Sequence, residues 1–220
     1  MSDRKVRMGI DVGGTHTKAV AIDNATHEII GKSSVTTHDD KAGVATGVVQ
    51  AFQNCLRENG IDPKDVIFVA HSTTQATNAL IEGDVANVGV IGVGPKGVGG
   101  WIAKAQTNMK DINLGSGRFI RLKNRFICDE NLSDQLVTDT IKSVVGDGAQ
   151  VIVASESYGV DDMENETGIC KIAKDMGLEA TAASEITKLY GLTRRTRTAA
   201  INASILPKML NTANSTERSV

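Results

Sequence analysis

The sequence predicts an α/β layered fold, and three observations carry that prediction. Apolar alternation near the N-terminus breaks into three short strands, 6–11, 17–22 and 27–35, arranged as a meander. Strand and helix patterns then alternate along the rest of the chain, the order of a sheet flanked by helices. Aromatic residues are only 3%, so the core must be built of Val, Ile, Ala and Leu, as in buried parallel or mixed sheets. At 220 residues the chain is long enough for a sizeable core.

The elements follow in order. A helix fits 42–59: Asp39 and Asp40 precede it, and Val44, Val48, Ala51, Phe52 and Cys55 recur at helical spacing. Asn59-Gly60 ends it. Residues 66–70 are apolar on both faces and predict a central strand. Helix 74–82 stops at Gly83, and 85–93 reads as a second buried strand. Residues 94–117 are glycine-rich and predict a loop with a short helix near 101–108. A weak strand lies at 118–122 or 125–128. Ser133 or Asp134 opens helix 134–146, and 151–154 is a strand. Asp161-Asp162 cap helix 163–176, and 178–182 is a short strand. A last helix spans 194–212, with Pro207 expected to kink or break it.

Composition narrows the function. The net charge is -2, with 24 basic and 26 acidic residues, so nothing asks for nucleic acid or an anionic membrane. No apolar run approaches the ~20 residues of a membrane span. Met-Ser-Asp-Arg-Lys at the N-terminus has no apolar signal region behind it. Cys55, Cys128 and Cys170 are far apart and odd in number, which argues for a reducing cytoplasm rather than a disulfide framework or zinc site.

The most informative segment is Gly9-Ile-Asp-Val-Gly-Gly-Thr-His-Thr-Lys18. Two strands around Gly13-Gly14 read as a hairpin. Glycines let a ligand approach the backbone, and successive N–H groups in such a turn can cradle phosphate oxygens. Asp11 could hold Mg²⁺ through water, and Thr15, Thr17 and Lys18 add donors. An ordinary Gly-turn hairpin is the alternative.

A second segment, His71-Ser-Thr-Thr-Gln-Ala-Thr-Asn78, sits where a strand becomes a helix. Ligands gather at the carboxyl ends of strands in open α/β sheets, and the helix N-terminus favours anions. The other reading makes Ser72 or Thr73 an N-cap and His71 a satisfied buried histidine. Gly92-Val-Gly-Pro-Lys-Gly97 is a formal G-x-G-x-x-G. Against a dinucleotide site stand Pro95, which lacks an N–H, a strand not expected to open a βαβ unit, and Asp111, which follows no strand. Arg195, Thr198 and Asn202 share a helical face that could line a cleft or be solvated. No Gly-x-Ser-x-Gly elbow, His-x-x-x-His motif or paired carboxylates stand out.

Several segments together resemble one family. Ile10-Asp-Val-Gly-Gly-Thr-His-Thr17 is similar to the first phosphate hairpin of the actin-like ATPase superfamily, which includes sugar kinases. His71-Ser-Thr-Thr-Gln-Ala-Thr-Asn-Ala-Leu80 resembles the His-Gly-Thr-Thr-x-Ala-Thr-Asn-Ala-Leu segment of the hydantoinase/oxoprolinase family, A-type subunit. Val35-Thr-Thr-His-Asp-Asp40, Ser157-Tyr158, Ser184-Glu-Ile186 and Arg195-Thr-x-Thr-Ala-x-x-Asn-Ala203 resemble further segments of that family. The resemblance runs from about Arg7 to Val220. Here Ser72 stands where the family has glycine, the acid before the arginine segment is lost, and 95–125 lacks the family's Arg-rich pattern.

The resemblance implies a ribonuclease-H-like (actin-like ATPase) lobe, with a mixed sheet flanked by helices and a smaller appended α/β unit. It implies a phosphate-binding region over 1–94, a continuing α/β region over 95–185, and a helix at 186–220 that starts a second lobe. That lobe, with its own phosphate hairpin, is expected to be missing from this chain. The implied activity is ATP-dependent opening of a cyclic amide such as hydantoin or 5-oxoproline, by phosphorylation of the amide with ATP and Mg²⁺. The ATP-using subunit of an acetone- or acetophenone-type carboxylase and a non-catalytic scaffold lobe are the alternatives. Asp11, Gly13, Gly14, Thr15, Thr17, Lys18 and Thr73 are then cofactor-binding, with Asp11 also at the metal. His71, Thr74 and Asn78 are the catalytic candidates, and Thr77, Arg195, Thr198 and Asn202 line the cleft. A B-type partner subunit and a homo- or hetero-oligomer are expected, in the cytoplasm.

Overall fold

The computed structural model describes residues 4–37 and 45–217. The chain divides into two compact units, one of Met1–Asn78 with Lys208–Val220 and one of Ala79–Pro207. The division falls at residue 78 rather than 94, because the strand after residue 85 groups with the second unit.

In the first unit β1 (Val6–Val12), β2 (His16–Asp23) and β3 (Ile29–Thr36) form the expected meander. Helix α1 (Ala45–Glu58) and strand β4 (Val66–Thr73) follow. The sheet order is β3-β2-β1-β4, antiparallel except for the parallel β1–β4 pair. Val6, Met8, Ile10 and Val12 alternate into the core, as a period of two demands. Val48, Ala51, Phe52, Cys55 and Leu56 of α1 recur at helical spacing and complete the same cluster. The start expected for α1 at 42–44, with Asp39, Asp40 and Val44, lies outside the described residues.

One expectation here is overturned. Residues 66–70 were predicted to be a central strand covered on both faces. Among the described residues β4 is the last strand of its sheet. Ile67 and Phe68 are half-exposed, and the Phe68 ring instead carries the Arg7 guanidinium, 5.8 Å from its centroid.

The second unit holds β5 (Val88–Gly94), α3 (Val98–Thr107), the hairpin β6 (Ile112–Gly115) and β7 (Arg118–Ile120), β8 (Leu122–Cys128) and α4 (Asp134–Gly146). Then come β9 (Val151–Glu156), α5 (Glu164–Asp175), β10 (Glu179–Ala182) and the single turn α6 (Ala183–Ile186). Helix α2 (Gln75–Glu82) enters this unit and α7 (Leu192–Glu217) leaves it. The sheet order is β10-β9-β5-β8, all parallel. β5 is buried along its whole length, so it is the central strand that its unbroken apolar run implies. Its faces feed two cores. Ile91 and Val93 pack with Val137 and Ile141 of α4 and Ile169 of α5, whereas Val88 and Val90 pack with Ala199, Ala200 and Ala203 of α7.

Two further differences concern local rules. α7 continues through Pro207, which removes one helix N–H without ending the helix. β5 does open a β-α-β connection, to its parallel neighbour β8. That removes one objection to a dinucleotide fingerprint at Gly92–Gly97, but the others stand. Pro95 offers no N–H, and Asp111 is engaged by the Leu122 N–H at 2.8 Å and Arg121 at 2.7 Å.

Candidate functional site

The site is built on the face of the first sheet that points away from α1. Paired residues on neighbouring strands share a face, so the register gives its layout. Lys18 pairs with Ser34 and with Asp11, and Asp11 pairs with Ser72. These four residues, all exposed, form one polar row across the four strands. The next row is Lys32, Val20, Gly9 and Ala70. A side chain at Gly9 would meet nothing within 4 Å, so the face is open above the middle of the sheet. With Arg7 one row further, the paired strand residues of this face described in the structure set Arg7, Lys18 and Lys32 against the carboxylate of Asp11. Such a balance favours an anion.

Asp11 stands one residue before the end of β1, at the mouth of the Gly13–Gly14 turn. The Ser72 hydroxyl donates to its Oδ1 at 3.0 Å. The turn is closed by the Gly13 N–H, which donates to the His16 carbonyl at 3.0 Å. A Cβ at Gly13 would lie 3.0 Å from that same oxygen, tighter than ordinary contact, so the turn favours glycine. Gly14 and Thr15 are exposed at its tip. Thr15 Oγ1 lies 3.2 Å from His16 Nδ1. Position 14 also faces Asn78, whose Nδ2 would lie 3.5 Å from a Cβ there. Thr74 ties the start of α2 to the hairpin, its hydroxyl and its N–H both donating to the Val12 carbonyl at 3.3 Å. Asn78 N–H then donates to the Thr74 carbonyl at 2.9 Å. Thr77 is exposed on α2. The side chain of Thr73 lies outside the described residues.

Two sequence-derived site residues are placed elsewhere. Thr17 pairs with Val12 on the core side and is fully buried. Thr37 Oγ1 donates to the Gly13 carbonyl at 3.0 Å and has one proton, so at its 3.0 Å contact with Thr17 it is Thr17 that donates. Thr17 therefore holds the turn from beneath and offers no donor to a ligand. His71 pairs with Ile10, on the face opposite Asp11 and Ser72. It is half-buried, its Nε2 has no hydrogen-bond partner, and burial pushes its imidazole below the ordinary value while Asp11 pulls the other way. The buried-histidine reading fits its position, though not the expectation that it is satisfied.

The residues present fit a nucleotide phosphate and its metal. The turn is tight at Gly13, Gly14 is exposed, and the Asp11 carboxylate stands beside Lys18 on an open face. The model for the hydantoinase/oxoprolinase N-terminal region matches residues 7–177. The chain belongs to this family.

A caprolactamase subunit alpha from Pseudomonas jessenii is 32% identical over 91 residues, 41% of this chain and 13% of that protein. The fold is shared with a nucleotide-free acetone carboxylase, with a TM-score of 0.68 and 17% identity over 98% of this chain. It is also shared with the ATP-dependent caprolactamase of Pseudomonas jessenii, with a TM-score of 0.57 and 20% identity over 93% of this chain. The hydantoinase/oxoprolinase chain described here covers 34% and 32% of those two structures.

Three further hydantoinase/oxoprolinase segments, at Ser157, Ser184 and Arg195, lie in the second unit, which holds a buried polar knot around Arg195 and Glu166. Arg195 is fully buried. Its guanidinium donates to the carbonyls of Leu189 at 2.7 Å, Tyr190 at 3.3 Å and Glu156. Burial lowers its pKa, opposed first by Glu166. Thr196 lies 2.7 Å from the buried Ser155 hydroxyl. Thr198 is exposed and donates to the Arg194 carbonyl at 3.0 Å, and Asn202 is partly buried. Arg195, Thr198 and Asn202 thus do not form one open stripe; the charged member anchors a loop. Glu166, which no sequence pattern marks, is fully buried and accepts the N–H groups of Glu156 and Ser184, each at 2.8 Å.

Proposed function

We propose that this chain forms the phosphate-gripping part of an ATP-dependent cyclic-amide hydrolase. The observation that carries the reading is the Asp11 carboxylate at the mouth of the Gly13–Gly14 turn, on an open face that also carries Arg7, Lys18 and Lys32. In this reading the backbone N–H groups of Gly14 and Thr15 and the Lys18 ammonium hold phosphate oxygens, while the Gly13 N–H closes the turn. Asp11 holds Mg²⁺ through water. Thr74 and Asn78 fix the start of α2 against the turn, and Thr77 faces the acceptor side. ATP·Mg²⁺, when bound, supplies the phosphoryl group that activates the amide oxygen and opens the carbon to water. A second ATPase lobe and a B-type partner subunit belong to the working form.

The caprolactamase subunit alpha, 32% identical over 91 residues, supports a cyclic amide as substrate. The test is substrate-dependent ATP hydrolysis by the full-length protein with its partner subunit. Hydantoin, 5-oxoproline or a lactam should stimulate phosphate release, and acetone should not. Stimulation by acetone with bicarbonate alone would instead assign the carboxylase reaction. Asp11→Ala should abolish the stimulated rate; retention of that rate would make this a scaffold lobe.

A further inference from the structure

The hydantoinase/oxoprolinase segment that resembles this one carries glycine where this chain has Ser72, and the structure gives that difference a role. β1 and β4 run parallel, with Asp11 directly opposite Ser72. Both side chains emerge on the open face, and the Ser72 hydroxyl donates to Asp11 Oδ1 at 3.0 Å. Glycine at 72 has no such donor. Alternation turns the preceding His71 to the opposite face, and Thr74, two residues on, is engaged with the Val12 carbonyl.

We propose that Ser72 is a positioning residue that fixes the Asp11 carboxylate for the metal-bound nucleotide. A lone aspartate at a strand end samples several rotamers. With one oxygen held by Ser72, Oδ2 is left as the acceptor for a ligand. Ordering the carboxylate before binding removes part of the entropic cost that the metal–phosphate complex otherwise meets. A hydroxyl also suits this place better than an ammonium. It orients the carboxylate without neutralising the charge that the cation needs.

The inference rests on the reading that Asp11 faces the metal-bound phosphates, and the test separates the two. Mn²⁺ binding to the full-length protein, in the presence of a non-hydrolysable ATP analogue, is followed by electron paramagnetic resonance. The variants are Ser72→Ala, Ser72→Gly, Ser72→Thr and Asp11→Asn. Ser72→Ala and Ser72→Gly are expected to weaken Mn²⁺ binding about tenfold, on the scale of a lost hydrogen bond to a charged group. Ser72→Thr keeps the hydroxyl and should restore binding to within about twofold. In steady-state assays, the half-saturating Mg²⁺ should rise for Ser72→Ala in the same proportion. The KM for ATP at saturating Mg²⁺ should stay unchanged, a split that a general loss of structure cannot produce. If Asp11→Asn abolishes Mn²⁺ binding while Ser72→Ala and Ser72→Gly leave it unchanged, the positioning role is overturned and the Asp11 reading survives. If Asp11→Asn binds Mn²⁺ as the parent does, the Asp11 reading falls and the inference falls with it.

Discussion

His71 and Ser72 are adjacent in β4 and face opposite sides of the sheet, His71 beside Ile10 and Ser72 beside Asp11. That one-residue alternation separates a group turned toward the core side from a group on the open face. It leaves the Asp11–Ser72 pair, and not the imidazole, on the open face.

The first prediction concerns the titration of His71. Burial pushes its pKa below the ordinary 6.5, against the pull of Asp11. A base with a lowered folded value takes up its proton more readily when unfolded. Its contribution to stability is therefore complete above about pH 6.5 and is lost as pH falls through the folded value. An NMR titration of the imidazole Cε1–H should give a midpoint below 6.5. His71→Leu should remove this acid-sensitive component while leaving ATP turnover unchanged. A midpoint above 6.5, or lost turnover in His71→Leu, would contradict the assignment to the core side.

The second prediction concerns Asp11. It is exposed, so Asp11→Ala should change the unfolding free energy by no more than about 0.5 kcal/mol. In the full-length protein, substrate-stimulated ATP turnover should fall by at least about 100-fold, the scale of losing a fixed electrostatic group at the reacting centre. Thermal melts and phosphate release on the same preparation check both halves. A large drop in melting temperature would show that Asp11 is structural.

Much of this was legible in the sequence, and the exceptions share a physical cause. The meander and α1 followed from hydrophobic period, and α4 from its cap, since Ser133 does accept the Leu136 N–H. The Gly13–Gly14 turn was legible because two adjacent glycines leave few other roles. What could not be read is which face a residue takes when its strand has no clean alternation. The run 66–70 is apolar throughout, so the sequence could not orient His71 against Ser72; the β1–β4 register does. Arg195 was read as lining a cleft because arginines are usually exposed. Its burial depends on three carbonyls, at Glu156, Leu189 and Tyr190, which only the fold brings together. Glu166 had no signal at all, since its partners are backbone N–H groups that any residue can supply.

The third prediction concerns the cysteines. Burial pushes the Cys170 thiol up to about 12 and raises that of Cys55. Both are buried, whereas Cys128 is only partly so. The thiolate is the reactive form, so the buried pair should be inert at neutral pH. Brief alkylation of the native protein at pH 7.5, read by peptide mass spectrometry, should label Cys128 first. Cys55 and Cys170 should react only after denaturation. Early labelling of Cys170 would show that the α5 core opens readily.

The last prediction concerns the polar knot of the second unit. Glu166 is fully buried, and its two oxygens take the Glu156 and Ser184 N–H groups, one at the end of β9 and one in α6. Glu166→Ala leaves both donors buried and unpaired and opens a cavity, and each orphaned donor costs about 1–3 kcal/mol. The expected loss is about 2–4 kcal/mol, read as a lower denaturant midpoint. Gly159 reports on the same contact from the other side. A Cβ there would lie 2.5 Å from Glu166 Oε1 and 2.8 Å from Ser184 Oγ, so Gly159→Ala must displace the carboxylate. The two substitutions disturb one interaction, so their effects should not add. A double variant no less stable than Glu166→Ala alone is the expected result. Full additivity would mean that Gly159 is constrained by something other than Glu166.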